Sequence, residues 1–366
     1  MKSQIVFAAA MVAAAATVIG IMVFTVEKRS AEPKPLVDEM TLEPNDAFSF
    51  GDSSESAATS DTSMQVTLEP EPVLMDTIEV SFSNVSSAET YNGLAYVGTG
   101  GGVFIYDPAE ETIEILSVNE GLSDPEVTAL HIDAGILYVG TKSGLFKRDE
   151  AGQMIPIAPE LKSEVTAIAC RDTEIYIGTR ADGAIRISPV DTTVILNKPD
   201  ITDLTLWNGD IWIAAFGEGI YRFNGVRCVR RYLSSDSTAF DRASTLASMF
   251  NRLYVGTPDG MYVYDGGSWD LYDADDGLFV CDITAITFKG WKILAGTRDW
   301  GYFEIFEDWV CPVAWSEALH VTALAADAGT VVVGTPESGA YVTKGDIVKN
   351  INPKTKMLEI PQFAAF

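Results

Sequence analysis

Histidine and cysteine are scarce. The 366 residues hold two histidines, His131 and His320, and four cysteines, Cys170, Cys228, Cys281 and Cys311. No two cysteines stand in a C-x-x-C pair and no histidine has a second one nearby. That leaves no basis for a structural zinc site, a c-type haem or a redox dithiol. Each cysteine is read as a small buried apolar residue. Positive charge is also short: 25 Lys and Arg against 52 Asp and Glu, a net charge of −27. Nucleic-acid phosphates and an anionic membrane surface are therefore excluded as main partners. No G-x-S-x-G turn occurs, and neither histidine has a Ser or Cys at a nucleophile-like turn. No catalytic residue, metal ligand or cofactor is expected, and an enzyme is the least favoured reading.

What is present is apolar sequence, 47% of the chain, distributed unevenly. Residues 5–26 carry no charge and consist almost wholly of Ala, Val, Ile, Met and Phe. At about 1.5 Å per residue they would span roughly 33 Å as a helix, enough for a bilayer core of about 30 Å. An uncleaved transmembrane anchor is expected over residues 1–30. A cleaved signal peptide is the alternative, with a cut near Ala13 to Ala16. Lys2 precedes the span and Lys28, Arg29 and Lys34 follow it, so charge alone does not orient it. Residues 31–76 are rich in Pro, Ser, Thr and acidic residues, with Lys34 as the one basic residue. Such a stretch buries too little apolar surface to offset its ordering entropy, so it reads as a disordered acidic linker.

The remainder, residues 77–366, repeats. LAYVGTGGGVFIYD (94–107) returns as ILYVGTKSGLFKRD (136–149), as RLYVGTPDGMYVYD (252–265) and, more loosely, in four other segments. Gly-Thr pairs begin at residues 98, 140, 178, 256, 296 and 334, and Ala214-Ala215 takes that place in the fourth unit. A period near 40 residues signals a repeat architecture. Each unit reads as a short strand, a turn and a nearly all-apolar strand ending in Gly-Thr. A tight turn with an invariable glycine follows (Gly102, Gly144, Gly183, Gly219, Gly260, Gly301, Gly339), then two more strands. Four antiparallel strands per unit, apolar on both faces, fit a β-propeller blade, and seven units predict an all-β, seven-bladed propeller. A strand-like stretch before the first unit, Thr77–Phe82, is expected to pair with the last blade and close the ring. The tail Met357–Phe366 is expected instead to cover an outer edge.

The run NEGLSDPEVTALHIDAGILYVGTKSGLFKRD resembles the two-component-regulator propeller repeat. In that repeat a (D/N)GL segment joins blades and is followed by V-x-x-I, a D-x-x-G turn, LW(I/V)GT and GL-x-x-(Y/F)D. Asn119-Glu120-Gly121-Leu122 and Asp275-Asp276-Gly277-Leu278 match the joining segment. The resemblance covers about three-quarters of the chain. It implies a propeller outside the cytoplasm, periplasmic or extracellular, held by a single-pass anchor. In that family such propellers are usually the ligand-sensing parts of membrane sensor kinases. No kinase or output domain follows here, so phosphotransfer is not carried over.

Candidate site residues come from the turns. Lys142, Arg180 and Arg298 each follow a Gly-Thr and are placed to form a cationic patch at the channel mouth, unless acidic connectors such as Glu164, Asp200 and Asp282 pair with them. Trp300 falls in a turn where most units have a small or polar residue, suited to stacking on a sugar or to burial in a protein partner. The other aromatics of that unit, Trp291, Tyr302, Phe303, Phe306, Trp309 and Trp315, are read as packing between blades. Asp273, Asp275 and Asp276 have the wrong spacing for a calcium loop and read as a solvated loop. The expectation is a propeller that binds without chemistry. It serves as an interaction scaffold for a protein partner in a cell-envelope assembly or, alternatively, as a sensor of a small solute or glycan.

Overall fold

The computed structural model describes residues 30–31, 75–231, 239–307, 309–353 and 356–361. The expected membrane span over residues 5–26 and nearly all of the expected linker lie outside these. Among the described residues no helix is long and apolar enough to cross a membrane.

Seven four-stranded antiparallel sheets follow one another along the chain, each built from a contiguous stretch in the order of its strands. The first is Val85–Tyr91, Leu94–Thr99, Gly102–Asp107 and Thr112–Leu116. The last is Ala323–Ala326, Thr330–Gly334, Ala340–Lys344 and Ile347–Ile351. First strands pack on those of neighbouring blades, and Ala323–Ala326 of the seventh packs on Val85–Tyr91 of the first, so the ring is closed. The second strand is the most buried: Ile136–Thr141 exposes only its first residue. The fourth is the outer edge, and Thr112–Leu116 buries only Leu116. Ser30–Ala31 adds a short fifth strand to the outer edge of blade 5.

The core is not one mass but seven wedges, one in each gap between adjacent blades. The Gly-Thr pair makes this packing possible. A Cβ added to Gly178 would lie 2.5 Å from Ile201 Cγ2, the first residue of the next blade. The equivalent approach at Gly140 is 2.7 Å, to Val165. Blade 4 has Ala214 instead, and blade 5 there presents Ala243 instead of Val or Ile; both sit in the same wedge. The buried threonine locks the following turn. Thr99 Oγ1 donates to Gly102 O at 2.7 Å and accepts from Gly101 N at 3.1 Å, and the same exchange recurs in the other five Gly-Thr turns. The seven turn glycines all have positive φ. At Gly183 a Cβ would also meet Leu196 O at 2.0 Å, so only glycine fits.

The joining segments are capped turns. Asp273 accepts from Asp275 N at 2.8 Å, Asp276 accepts from Asp273 N at 3.3 Å, and Gly277 takes the left-handed conformation. These carboxylates hold a turn, and Leu278 after it is fully buried. The expected pairing of Thr77–Phe82 with a strand of the last blade is not adopted. Met75–Val80 and Lys356–Pro361 pair with each other, antiparallel and outside every blade. The seam between blades 7 and 1 is held by Val85 N to Thr335 O at 2.9 Å and Gly339 N to Ser83 O at 2.9 Å.

Candidate functional site

Three places on the disc gather polar or aromatic groups. The first is the axial channel, a cavity of about 620 Å³ lined by the first strands of all seven blades. Near one end runs a circle of hydroxyls. Ser86 donates to Val127 O at 2.6 Å, Thr128 to Val165 O at 2.5 Å, Thr166 to Ile201 O at 2.6 Å and Thr202 to Ala243 O at 2.8 Å. Ser244 donates to Ile283 O, Thr284 to Val321 O at 2.6 Å and Thr322 to Val85 O at 2.5 Å, which returns the circle to its start. Further in, Asp203 accepts from Leu204 N at 2.8 Å and from Leu246 N at 2.7 Å. Burial outweighs those bonds and pushes its carboxyl up to about 6.

Along the same channel His131 Nδ1 stands 3.8 Å from Glu89 Oε1, and Cys170 lines the wall beside them. Burial disfavours the charged imidazole. Hydrogen bonds with Cys170 and Glu89 and the charge of Glu89 overcome this and push His131 up to about 9. Sequence spacing gave no sign of this cluster, because the three residues come from three different repeats. The cysteines are not uniformly buried as expected: all four are free, but only Cys228 is buried, and Cys311 is exposed. Cys311 lies in an outer strand, where the repeat pattern is least regular.

The second place is the face bearing the Gly-Thr turns. Lys142, Arg180 and Arg298 occupy the same repeat position there, and each backbone N–H bonds its own blade's connector, to Glu126 O, Glu164 O and Asp282 O. Each is paired with acidic residues of the connectors. Lys142 pairs with Glu126, Arg180 with Glu164 at 2.9 Å and Asp200 at 3.5 Å, and Arg298 with Asp282 at 2.6 Å. The acidic connectors take up the cations, all of them half-exposed, as the dense negative charge of those loops dictates. Trp300 is 39% exposed and meets Phe279, itself 50% exposed, edge to face with centroids 5.7 Å apart. Phe279 continues to the buried Phe303 at 5.1 Å, so this corner is anchored from below. Phe279 follows the joining segment, and its place in the (D/N)GL-x pattern was the available signal for it.

The third place is on the opposite face, where the turns between first and second strands of blades 5 and 6 border a cavity of about 800 Å³. Here the reading of the blade-6 aromatics as packing between blades holds in part: Trp291 stacks on Phe250 of blade 5 and Trp315 meets Tyr341 of blade 7, though several of the rings remain exposed. Tyr302 and Phe303 are buried, but Trp291 is 72% exposed, and Phe306, Trp309 and Trp315 are exposed as well. Trp291 occupies the turn between Ile283–Lys289 and Lys292–Thr297, and Trp309 begins the outer strand Trp309–Pro312.

No protein-family model matches the sequence, and no curated protein matches it. Solved structures share its shape. An extracellular domain assigned to a hybrid two component system of B. thetaiotaomicron aligns at 16% identity and TM-score 0.59, over 74% of this chain and 40% of that one. A second such extracellular domain from the same organism aligns at 18% identity and TM-score 0.59, over 72% and 39%. A streptogramin B lyase aligns at 14% identity and TM-score 0.58, over 74% and 98%. This chain thus spans about two fifths of the length of those extracellular domains, and the likeness is one of fold.

Proposed function

We propose that this chain is the recognition part of an extracytoplasmic assembly, a propeller that binds a solute or glycan without transforming it and is tethered by residues 5–26. The observation that carries this reading is the aromatic corner of Trp300 and Phe279 beside the Arg298–Asp282 pair, exposed on the turn face. Aromatic faces next to a fixed charge pair suit a ligand with both apolar and hydroxyl surfaces. The likeness to extracellular domains of two-component systems supports a sensing role. The lyase shares the fold, and fold does not carry chemistry.

A second reading, the cell-envelope interaction scaffold, draws on one further feature: neither cavity described above includes Trp300 or Arg298. An open aromatic corner of that kind also suits a protein hot spot.

The test is capture from membranes with the intact protein and with an Arg298→Ala/Trp300→Ala variant, together with solute titrations of both. The variant is expected to fold with stability within about 0.5 kcal/mol of the parent. It is expected to lose about 2 kcal/mol or more of binding energy. A stoichiometric protein in the wild-type capture selects the scaffold. Unchanged binding by a folded double variant would remove the turn face from both readings.

A further inference from the structure

The turns between first and second strands share one backbone habit. Their first residue has positive φ in blades 1 to 6: Asn92 at 51°, Ala134 at 48°, Asp172 at 57°, Asn208 at 50°, Phe250 at 52° and Gly290 at 60°. Asn92, Asp172, Asn208 and Gly290 are residue types that tolerate the left-handed region, and Ala134 is small. Phe250 is neither, and a bulky side chain there meets steric resistance. Nor does burial compensate, because Phe250 is 68% exposed. Its ring stacks on Trp291 of the next blade's turn, with centroids 4.8 Å apart and planes 17° apart. Two aromatic rings are thus held in register at the tips of adjacent turns, one of them on a disfavoured backbone. Strain of this kind collects at binding sites, where the surroundings hold it for a purpose.

The stacked pair borders the cavity of about 800 Å³, whose lining also includes Phe306 and the polar Asn251, Arg252, Asp265 and Glu307. Glu307 too has positive φ, 53°.

We propose that this groove between blades 5 and 6 binds a neutral oligosaccharide, with a pyranose ring lying on the free face of Trp291 and its hydroxyls taken by Asn251, Arg252 and Glu307. A flat apolar ligand would cover the aromatics but leave the polar side of the groove unused, including the N–H groups of the Asn251 amide, whose Oδ1 already accepts from Asn208 Nδ2 at 3.1 Å. An acidic sugar would approach a chain of net charge −27 against its field. A neutral polyol with apolar ring faces matches both halves of the site, and the volume suits a chain of a few sugar rings. The site is on the other face from Trp300, so it stands or falls independently of the turn-face reading.

The experiment titrates the full-length protein with cellohexaose, xylohexaose and mannohexaose, followed by tryptophan fluorescence and calorimetry, with an oligogalacturonate as the acidic control. At least one neutral hexasaccharide is expected to bind at submillimolar concentration and shift tryptophan emission. Trp291→Ala is expected to weaken that binding about tenfold or more. Trp291→Tyr is expected to keep most of it, and Trp300→Ala all of it. Phe250→Gly should weaken binding without lowering the melting temperature, since it removes the stack and the backbone conflict together. The proposal is overturned if none of the three neutral probes binds, if Trp291→Ala binds as the parent does, or if the acidic control binds more tightly than all of them.

Discussion

At the scale of single residues, the chain carries a natural experiment in its fourth gap. Elsewhere a glycine meets a β-branched residue of the next blade; between blades 4 and 5 an alanine meets an alanine. The two arrangements divide one space differently, so the positions should be coupled. Gly178→Ala alone places a methyl 2.5 Å from Ile201 and is expected to cost about 1–3 kcal/mol by overpacking. Ile201→Ala alone is expected to cost about 2–5 kcal/mol through the cavity it leaves. The double variant recreates the Ala–Ala pair and should cost less than the sum, by about 0.5 kcal/mol or more, in urea-unfolding measurements. Strict additivity would show that the shared space is not what sets the motif. The Gly-Thr repeat was plain in the sequence as a turn marker. Its reason was not, because the atom that requires Gly178 belongs to Ile201 in the following repeat, and no local pattern records that contact.

At the scale of strands, four of every blade's pieces were readable because each blade is one contiguous stretch with its own turns. The closing pair was not. Apolar alternation marks Thr77–Phe82 as strand-like but is silent on the partner of Met75–Val80, and Lys356–Pro361 sits at the far end of the chain. The exposure of the blade-6 aromatics is illegible in the sequence for a related reason: composition shows that blade 6 is rich in them, while exposure depends on which turn and which edge each one occupies. Since the closing pair lies outside the blades, a chain ending at Pro353 is expected to keep all seven. Its far-UV circular dichroism should match the parent while its melting temperature falls. Amide exchange should then quicken first at the seam, in Val85–Tyr91 and Ala323–Ala326, and least in blades 3 and 4. Uniform acceleration around the ring, or loss of the folded signal, would show that the pair is integral to the blades.

At the scale of the whole molecule, protonation in the channel acts in one direction. Asp203, raised to about 6, binds its proton more tightly folded than unfolded, so stability falls as pH rises from about 4 to about 6. His131, raised to about 9, contributes stability that is fully present below its unfolded value of about 6.5 and is lost as pH rises to about 9. The histidine's share is bounded by roughly 3 kcal/mol and reduced by its partial exposure. Denaturant midpoints are expected to drop between pH 6.5 and 9.5, and His131→Gln should flatten that part of the curve; an unchanged slope in the variant would assign the loss to other groups. A different consequence follows from the circle of hydroxyls. Each blade donates to the next and the seventh donates to the first, so the ring as an object has no beginning. Because every blade is complete within its own segment, and the two segments flanking the blades, Met75–Val80 and Lys356–Pro361, already lie side by side, the propeller has the geometry of a circularly permutable unit: joined across that pair and opened at any connector, it would keep the same seven donors facing the same seven carbonyls.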